Sequence, residues 1–229
     1  MKLLAIDTAT EACSAALYID GDIEQDYRVA PREHSHLILP MIERLLQQAG
    51  LKPSELDVLA FGRGPGSFMG VRIAAGVVQG IAYAHALPVV PVSTLAAIVQ
   101  VAERTTGAPK VLAAIDARMN EVYWGAYALD ASGLMRLRGD EIVIPPSQLD
   151  KPEGNGWIGA GTGWGSYAAQ LDAVTGDSVI ECLDNLLPDA QAIAELAAAD
   201  FLAGRYVSAA AAVPVYLRDN VAKKAGGKV

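Results

Sequence analysis

Apolar residues near the start of the chain come in short runs rather than at helical spacing. Lys2 to Asp7 (KLLAID) reads as a buried strand that stops at an aspartate, and Thr8-Ala9-Thr10-Glu11 as a polar turn. Cys13 to Ile19 is a second strand, Asp20-Gly21-Asp22 a hairpin signal, and Ile23 to Val29 a third strand. The opening is therefore an antiparallel meander with Asp7 and Thr8 at its first turn. The period then changes. Between Pro31 and Gly50, the residues Leu37, Ile38, Met41, Ile42, Leu45, Leu46 and Ala49 form one stripe of an amphipathic helix that Gly50 stops. Pro40 lies inside the pattern and is expected to kink the helix or mark its true start.

Val58 to Gly62 is a strand feeding the turn Gly64-Pro65-Gly66-Ser67-Phe68-Met69-Gly70, from which a helix rich in Ala74, Gly76, Gly80 and Ala84 runs to a short strand, Leu87 to Val92. Two readings of this stretch stand side by side. Ser67 as helix cap, with free N–H groups and a positive dipole end beyond it, makes an anion cradle. The same glycines equally make a tight strand-to-helix turn in which backbone packs on backbone. Ser93 caps a helix from Thr94 to Arg104, and Thr105 to Pro109 is the strongest boundary signal, dividing residues 1–106 from 107–229.

Past that boundary the pattern restarts. Val111 to Asp116 (VLAAID) echoes LLAID, a polar turn follows from Ala117 to Glu121, and Val122 to Ala128 is a return strand before an Asp130-to-Gly133 hairpin signal. The repeat is short, but two copies of one opening predict two lobes of like topology. Later elements are a strand over 141–144, a glycine-rich strand-to-helix turn over 157–165 with its helix over 166–173, a strand over 179–182, a helix over 188–203 and an extended 213–218. The tail from Asn220, with Lys223, Lys224 and Lys228, is expected to be loose and basic. The segment before it is expected to pack back on the first lobe.

Composition narrows the function. Hydrophobic residues are 52% of 229, enough for a large core, and the net charge of −8 disfavours a main nucleic-acid-gripping subunit. The apolar stretch from Gly70 to Val92 is broken by Arg72, Gln79, His85 and Pro88, so a cytoplasmic protein without a membrane span is expected. Cys13 and Cys182 lie in no metal-type spacing, and His34 and His36, two apart on a helix, point to different faces, so no metal is assigned. No nucleophile elbow, Walker loop or H-E-x-x-H occurs. The remaining candidates are Asp7, Thr8 and Thr10, the turn with Gly64, Gly66, Ser67 and Gly70, and Asp116. An Asp at a strand end beside such a turn holds a magnesium-bound water, or it caps its own turn. The residues alone leave both open.

MKLLAIDTATEACSAAL, REHSHLILPMIERLL, GRGPGSFMGVRIAAGVVQGIA, PVSTLAA, IDARMNEVYWGAY and VPVYLR occur here in the order in which the TsaB (YeaZ) family carries them. The chain thus resembles that family across most of its N-terminal half and at two later points. The resemblance implies an α/β, two-lobed actin-like fold of the acetate and sugar kinase, chaperone and actin superfamily, each lobe a mixed sheet opening with a meander. It implies a non-catalytic scaffold in threonylcarbamoyladenosine synthesis, docked on a TsaD-like catalytic paralogue with a TsaE-like ATPase, and homodimeric when alone. The family's docking helices correspond to about 34–49 and 69–85, so His34, Leu37, Ile38, Met41 and Leu45 on one, and Val71, Ala74, Ala75, Val78 and Gly80 on the other, are expected at the interface. Met69 stands where the family has Thr, which weakens a phosphate role for the turn. No cofactor is assigned, and ATP or ADP at the partner interface is left open. The rival readings are an ATP-using transferase or kinase and, third, a metallopeptidase homologue.

Overall fold

The computed structural model describes residues 1–218; the basic tail lies outside them. The meander is β1 (Lys2–Asp7), β2 (Ala12–Ile19) and β3 (Asp22–Val29); then come α1 (His34–Gln48), β4 (Val58–Gly62), α2 (Phe68–His85), β5 (Val89–Val92) and α3 (Thr94–Thr106). The second half runs β6 (Lys110–Asp116), β7 (Val122–Leu129), β8 (Met135–Ile144), β9 (Trp157–Ala160), α4 (Thr162–Ser166), α5 (Ala168–Thr175), β10 (Val179–Leu183) and α6 (Ala190–Leu202).

The strands form two five-stranded sheets, ordered β3-β2-β1-β4-β5 and, read in the same sense, β8-β7-β6-β9-β10. In each, a three-strand antiparallel meander is extended by two parallel strands. The short LLAID/VLAAID echo is thus the visible part of a full topological repeat.

Successive strand residues point to opposite faces, and both faces of the first sheet are covered. Leu4, Ile6 and Phe61 meet Ile38, Met41 and Leu45 of α1 and Ala74 and Val78 of α2. On the other face, Leu3, Ala5 and Ala60 meet Ala97 and Val101 of α3 and Ile193, Leu196 and Ala197 of α6. The far side of α3, with Leu95, Ile98 and Val99, packs on Val111, Ala113 and Tyr127 of the second sheet. So α3 is shared between the sheets, and α6 belongs to the packing of the first sheet although it comes from the last part of the chain. Its N-terminus is fixed there: Asp189 caps it through the Ala192 N–H at 2.7 Å, and the Ala190 N–H donates to Ser14 Oγ at 2.9 Å. The segment after α6 returns to the first sheet. Val207 pairs with Val89, the Val215 N–H donates to the Arg63 carbonyl at 2.8 Å, and Arg218 Nε reaches Glu121 at 3.0 Å across to the β6–β7 turn.

Three of the departures from the expected boundaries have a physical reason. Helix α1 begins at His34 and runs through Pro40, which sits on its exposed side. Strand β8 begins at Met135 rather than Glu141, because its exposed MRLRGDEI lacks clean apolar alternation and is held by pairing to β7. The glycine-rich stretch splits into β9, α4 and α5 around Gly161, whose φ of 107° no ordinary side chain adopts readily.

Candidate functional site

Asp7, the last residue of β1, and Thr8 after it are wholly buried. Asp7 Oδ1 accepts the Ala9 N–H at 2.9 Å. The matching aspartate of the second sheet does the same: Asp116 Oδ1 accepts the Arg118 N–H at 2.8 Å, and also the Tyr167 hydroxyl at 3.1 Å. Both aspartates therefore cap their own turns. Thr10 Oγ1 accepts the Ala12 N–H at 3.3 Å.

The glycine turn lies directly on the Asp7 turn. The Ser67 N–H donates to the Ala9 carbonyl at 2.7 Å, and the Thr8 hydroxyl to the Gly70 carbonyl at 2.7 Å. A Cβ on Gly66 would stand 2.4 Å from the Ala9 carbonyl oxygen, and one on Gly70 would stand 1.9 Å from that of Thr8. Ser67 Oγ accepts the Gly70 N–H at 3.3 Å, so it is the expected helix cap. Gly64, at a φ of 99°, packs against the Val215 carbonyl. Gly66 and Gly70 thus let the backbones of the two turns pack directly on one another.

Asp7 Oδ2 has no hydrogen-bond partner among the described residues, and a Cβ on Gly62 would come within 1.9 Å of it. Burial raises this carboxyl from 3.8 to about 7, against the lowering effect of the Ala9 N–H and with a further push from Asp189. The fold thus prefers Asp7 protonated. As pH climbs from about 4 to 7, the unfolded chain releases this proton while the folded chain keeps it, so stability falls across that window and the loss is complete above it. At about 1.4 kcal/mol per tenfold change in proton affinity, the whole interval corresponds to roughly 4 kcal/mol. Asp7→Asn, which cannot ionise and retains an acceptor for Ala9, is expected to gain stability over wild type between pH 5 and pH 8 in urea unfolding. A pH-independent difference between the two proteins would refute this account.

The assigned docking residues need correction. Ile38, Met41, Leu45, Val71, Ala74, Ala75 and Val78 are buried in the first lobe, most of them in the core under α1 and α2. His34 is buried too, with Nε2 donating to the Thr10 carbonyl at 2.8 Å, while His36 on another side of the helix is exposed. Leu37 is half-buried. The stripe read as an interface is the stripe that holds α1 and α2 to their own sheet. Gly80 alone among these residues is exposed, and it marks a different face. Met69, Ile73, Gly76, Gly80 and Tyr83 follow one another at helical spacing along the outer side of α2. Met69 is 64% and Tyr83 87% exposed, and a Cβ on Gly76 or Gly80 would meet nothing within 4 Å. Leu39 of α1, at 54%, adds to the exposed apolar surface of the N-terminal helices.

Among the described residues no group of three metal-type ligands comes together, and no helix is long and apolar enough to cross a membrane. A polar cluster between the lobes had no signal in the sequence. Glu141 of β8 accepts hydroxyl hydrogens from Ser93 and Tyr127, with the Arg63 guanidinium beside it at 3.8 Å.

Two sheets of one topology, sharing α3 between them and each carrying an aspartate-capped first turn, define a two-lobed actin-like protein. The comparisons narrow this. The family model described as tRNA N6-adenosine threonylcarbamoyltransferase (TsaD) matches residues 27–226. The tRNA threonylcarbamoyladenosine biosynthesis protein TsaB of Escherichia coli K12 is 44% identical, with all of both chains covered. TsaB of Haemophilus influenzae is 39% identical over 98% of this chain and 96% of that one. The solved structure of YeaZ from Pseudomonas aeruginosa is 49% identical and superposes with a TM-score of 0.88, covering 94% of this chain and 99% of that one. The chain belongs to the TsaB (YeaZ) family.

Proposed function

We propose that this chain is a non-catalytic subunit in the synthesis of threonylcarbamoyladenosine, the nucleoside beside the anticodon of tRNAs that read codons beginning with A. In this reading it docks on a TsaD-like catalytic paralogue through the outer face of α2, works with a TsaE-like ATPase in the cytoplasm, pairs with itself when alone, and leaves tRNA to the other subunits. The observation that carries it is the filled cradle. The glycine turn that the sequence offered as an anion cradle packs on the Thr8 and Ala9 carbonyls instead, and Asp7 is buried beside it. What is left outward is an apolar, small-residue helix face, and closely packed helices are a common way to join two chains. The net charge of −8 and the names of the relatives support the same reading.

Depleting the protein in its host and measuring tRNA nucleosides by mass spectrometry tests it. Threonylcarbamoyladenosine is expected to fall and to return when the wild-type chain is restored. An unchanged level would end the pathway assignment. Calorimetric titration of the isolated chain with ATP and magnesium is expected to show no binding; micromolar binding lost in Asp7→Ala would favour an ATP-using enzyme instead.

A further inference from the structure

The last described residues touch both lobes. At one end they are seated against the start of α2. The Val215 N–H donates to the Arg63 carbonyl at 2.8 Å, and a Cβ on Gly64 would stand 3.0 Å from the Val215 carbonyl oxygen. The Tyr216 hydroxyl accepts from Arg72 Nε at 2.9 Å. The Tyr216 ring lies 5.8 Å from the ring of Phe68, on which the Arg72 guanidinium stacks at 3.6 Å. Two residues later the chain has crossed to the β6–β7 turn. There Arg218 serves three oxygens: Nε donates to Glu121 Oε2 at 3.0 Å, Nη1 to the Ala117 carbonyl at 3.0 Å, and Nη2 to the Arg118 carbonyl at 3.4 Å.

The turn it reaches is strained. Arg118, Met119 and Asn120 have φ of 60°, 58° and 60°, three successive left-handed residues without a glycine. In this conformation the Cβ of an L-residue crowds the following carbonyl oxygen, and of the three only Asn visits it readily. Local bonds hold part of the turn. Asp116 Oδ1 accepts the Arg118 N–H at 2.8 Å, and the Arg118 carbonyl accepts the Glu121 N–H at 3.1 Å. Side-chain packing adds little, because Arg118 and Met119 point into solvent, 78% and 68% exposed. Strained backbone persists where the surrounding structure over-determines it. The Arg218 fork supplies that further restraint from outside the turn. Its side chain is only 16% exposed, and a planar guanidinium can answer several oxygens at once.

We propose that residues 215–218 are a strap that ties the head of α2 to the β6–β7 turn, so that the turn keeps its left-handed shape only while the strap is seated. A contact that lifts Tyr216 off Phe68 and Arg72 then releases a turn in the other lobe. The strap is read in the free chain, so it stands or falls apart from the role proposed above.

Hydrogen exchange of the Arg118 and Glu121 amides in the full chain, followed by NMR, tests it. The Ala30 amide of the first lobe, bonded to the Glu11 carbonyl at 3.0 Å, is the reference. Arg218→Ala is expected to speed exchange at both turn amides at least about tenfold, the scale of one charge-assisted contact, with Ala30 unchanged. Arg218→Lys is expected to fall between, because an ammonium cannot serve the three oxygens together. Tyr216→Ala, at a residue 46% exposed, is expected to speed the same two amides about threefold or more, the scale of one neutral hydrogen bond. Adding it to Arg218→Ala should change little, because both act on one strap. If Arg218→Ala fails to fold, Arg218→Lys and Tyr216→Ala decide. Wild-type exchange at the turn amides in Arg218→Ala or in Tyr216→Ala, full multiplication of the two effects in the double variant, or equal acceleration of Ala30 in Arg218→Lys and Tyr216→Ala overturns the proposal.

Discussion

Gly70→Ala is expected to cost the protein a large part of its stability. An alanine here sounds harmless, because in an ordinary helical position it gains about 1 kcal/mol over glycine. Gly70 sits in the first turn of α2, and its φ is not in the left-handed region. The cost is steric. The new Cβ would stand 1.9 Å from the Thr8 carbonyl oxygen and 3.0 Å from its carbon. Both atoms are backbone, so no side chain can swing aside. Relief requires the Asp7 turn to part from the start of α2. That would break the Thr8 hydroxyl bond to the Gly70 carbonyl and the Ser67 N–H bond to the Ala9 carbonyl, each 2.7 Å. Overpacking, lost bonds and newly buried unpaired groups together amount to roughly 4 kcal/mol or more, against a usual total of about 5–15 kcal/mol. Gly76→Ala is the control, on the same helix with open space above it; it is expected to gain a few tenths to about 1 kcal/mol. Urea midpoints for the two variants should move in opposite directions. A Gly70→Ala protein as stable as wild type would mean that the turns do not press together.

That contrast also shows where sequence reading reaches its limit. A glycine that admits a phosphate and a glycine that admits a carbonyl oxygen look the same in a sequence, because both need only the missing Cβ. Gly66 and Gly70 were therefore legible as close-approach positions, but not as positions already filled by Ala9 and Thr8. The strands of the meander were legible because burial on both faces leaves an apolar run in β1 and most of β2. The second lobe was legible only where its first strand repeats that run. Strand β8, mostly solvent-facing and paired with β7, had no apolar signature to find before its last residues. The Glu141 cluster joins residues 48 and 14 positions apart in the chain, and no spacing rule connects them. Most of the residues assigned to docking are covered in the free chain for a related reason. An amphipathic stripe reports that something covers it, not what. For Ile38, Met41 and Ala74 the cover is the chain's own sheet. The outer stripe with Ile73, Gly76 and Gly80 is mixed enough to pass for ordinary helix surface.

Gly80→Arg is expected to abolish docking on the catalytic paralogue while the chain stays folded. Nothing lies within 4 Å of the position its Cβ would take, so the arginine meets no neighbour in the free subunit. Its helix propensity exceeds that of glycine by up to about 1 kcal/mol, so stability should hold or rise. At a close helix–helix contact the same side chain would separate the two chains and carry an unpaired charge into the seam. A loss of affinity of at least about a hundredfold, near 3 kcal/mol, is the expected scale. The charge must be placed on this outer face to test docking. Ala74→Glu, on the adjacent stripe, would bury a carboxylate at a fully buried position and unfold the lobe, losing the complex for a reason unrelated to docking. Co-purification with the paralogue, unfolding midpoints and restoration of threonylcarbamoyladenosine in depleted cells separate these cases. Gly80→Arg should fail the first and third while passing the second, Ala74→Glu should fail all three, and Gly80→Ala should pass them. Wild-type co-elution of Gly80→Arg would move the interface off the outer face of α2 and leave that stripe, with exposed Met69 and Tyr83, without a partner.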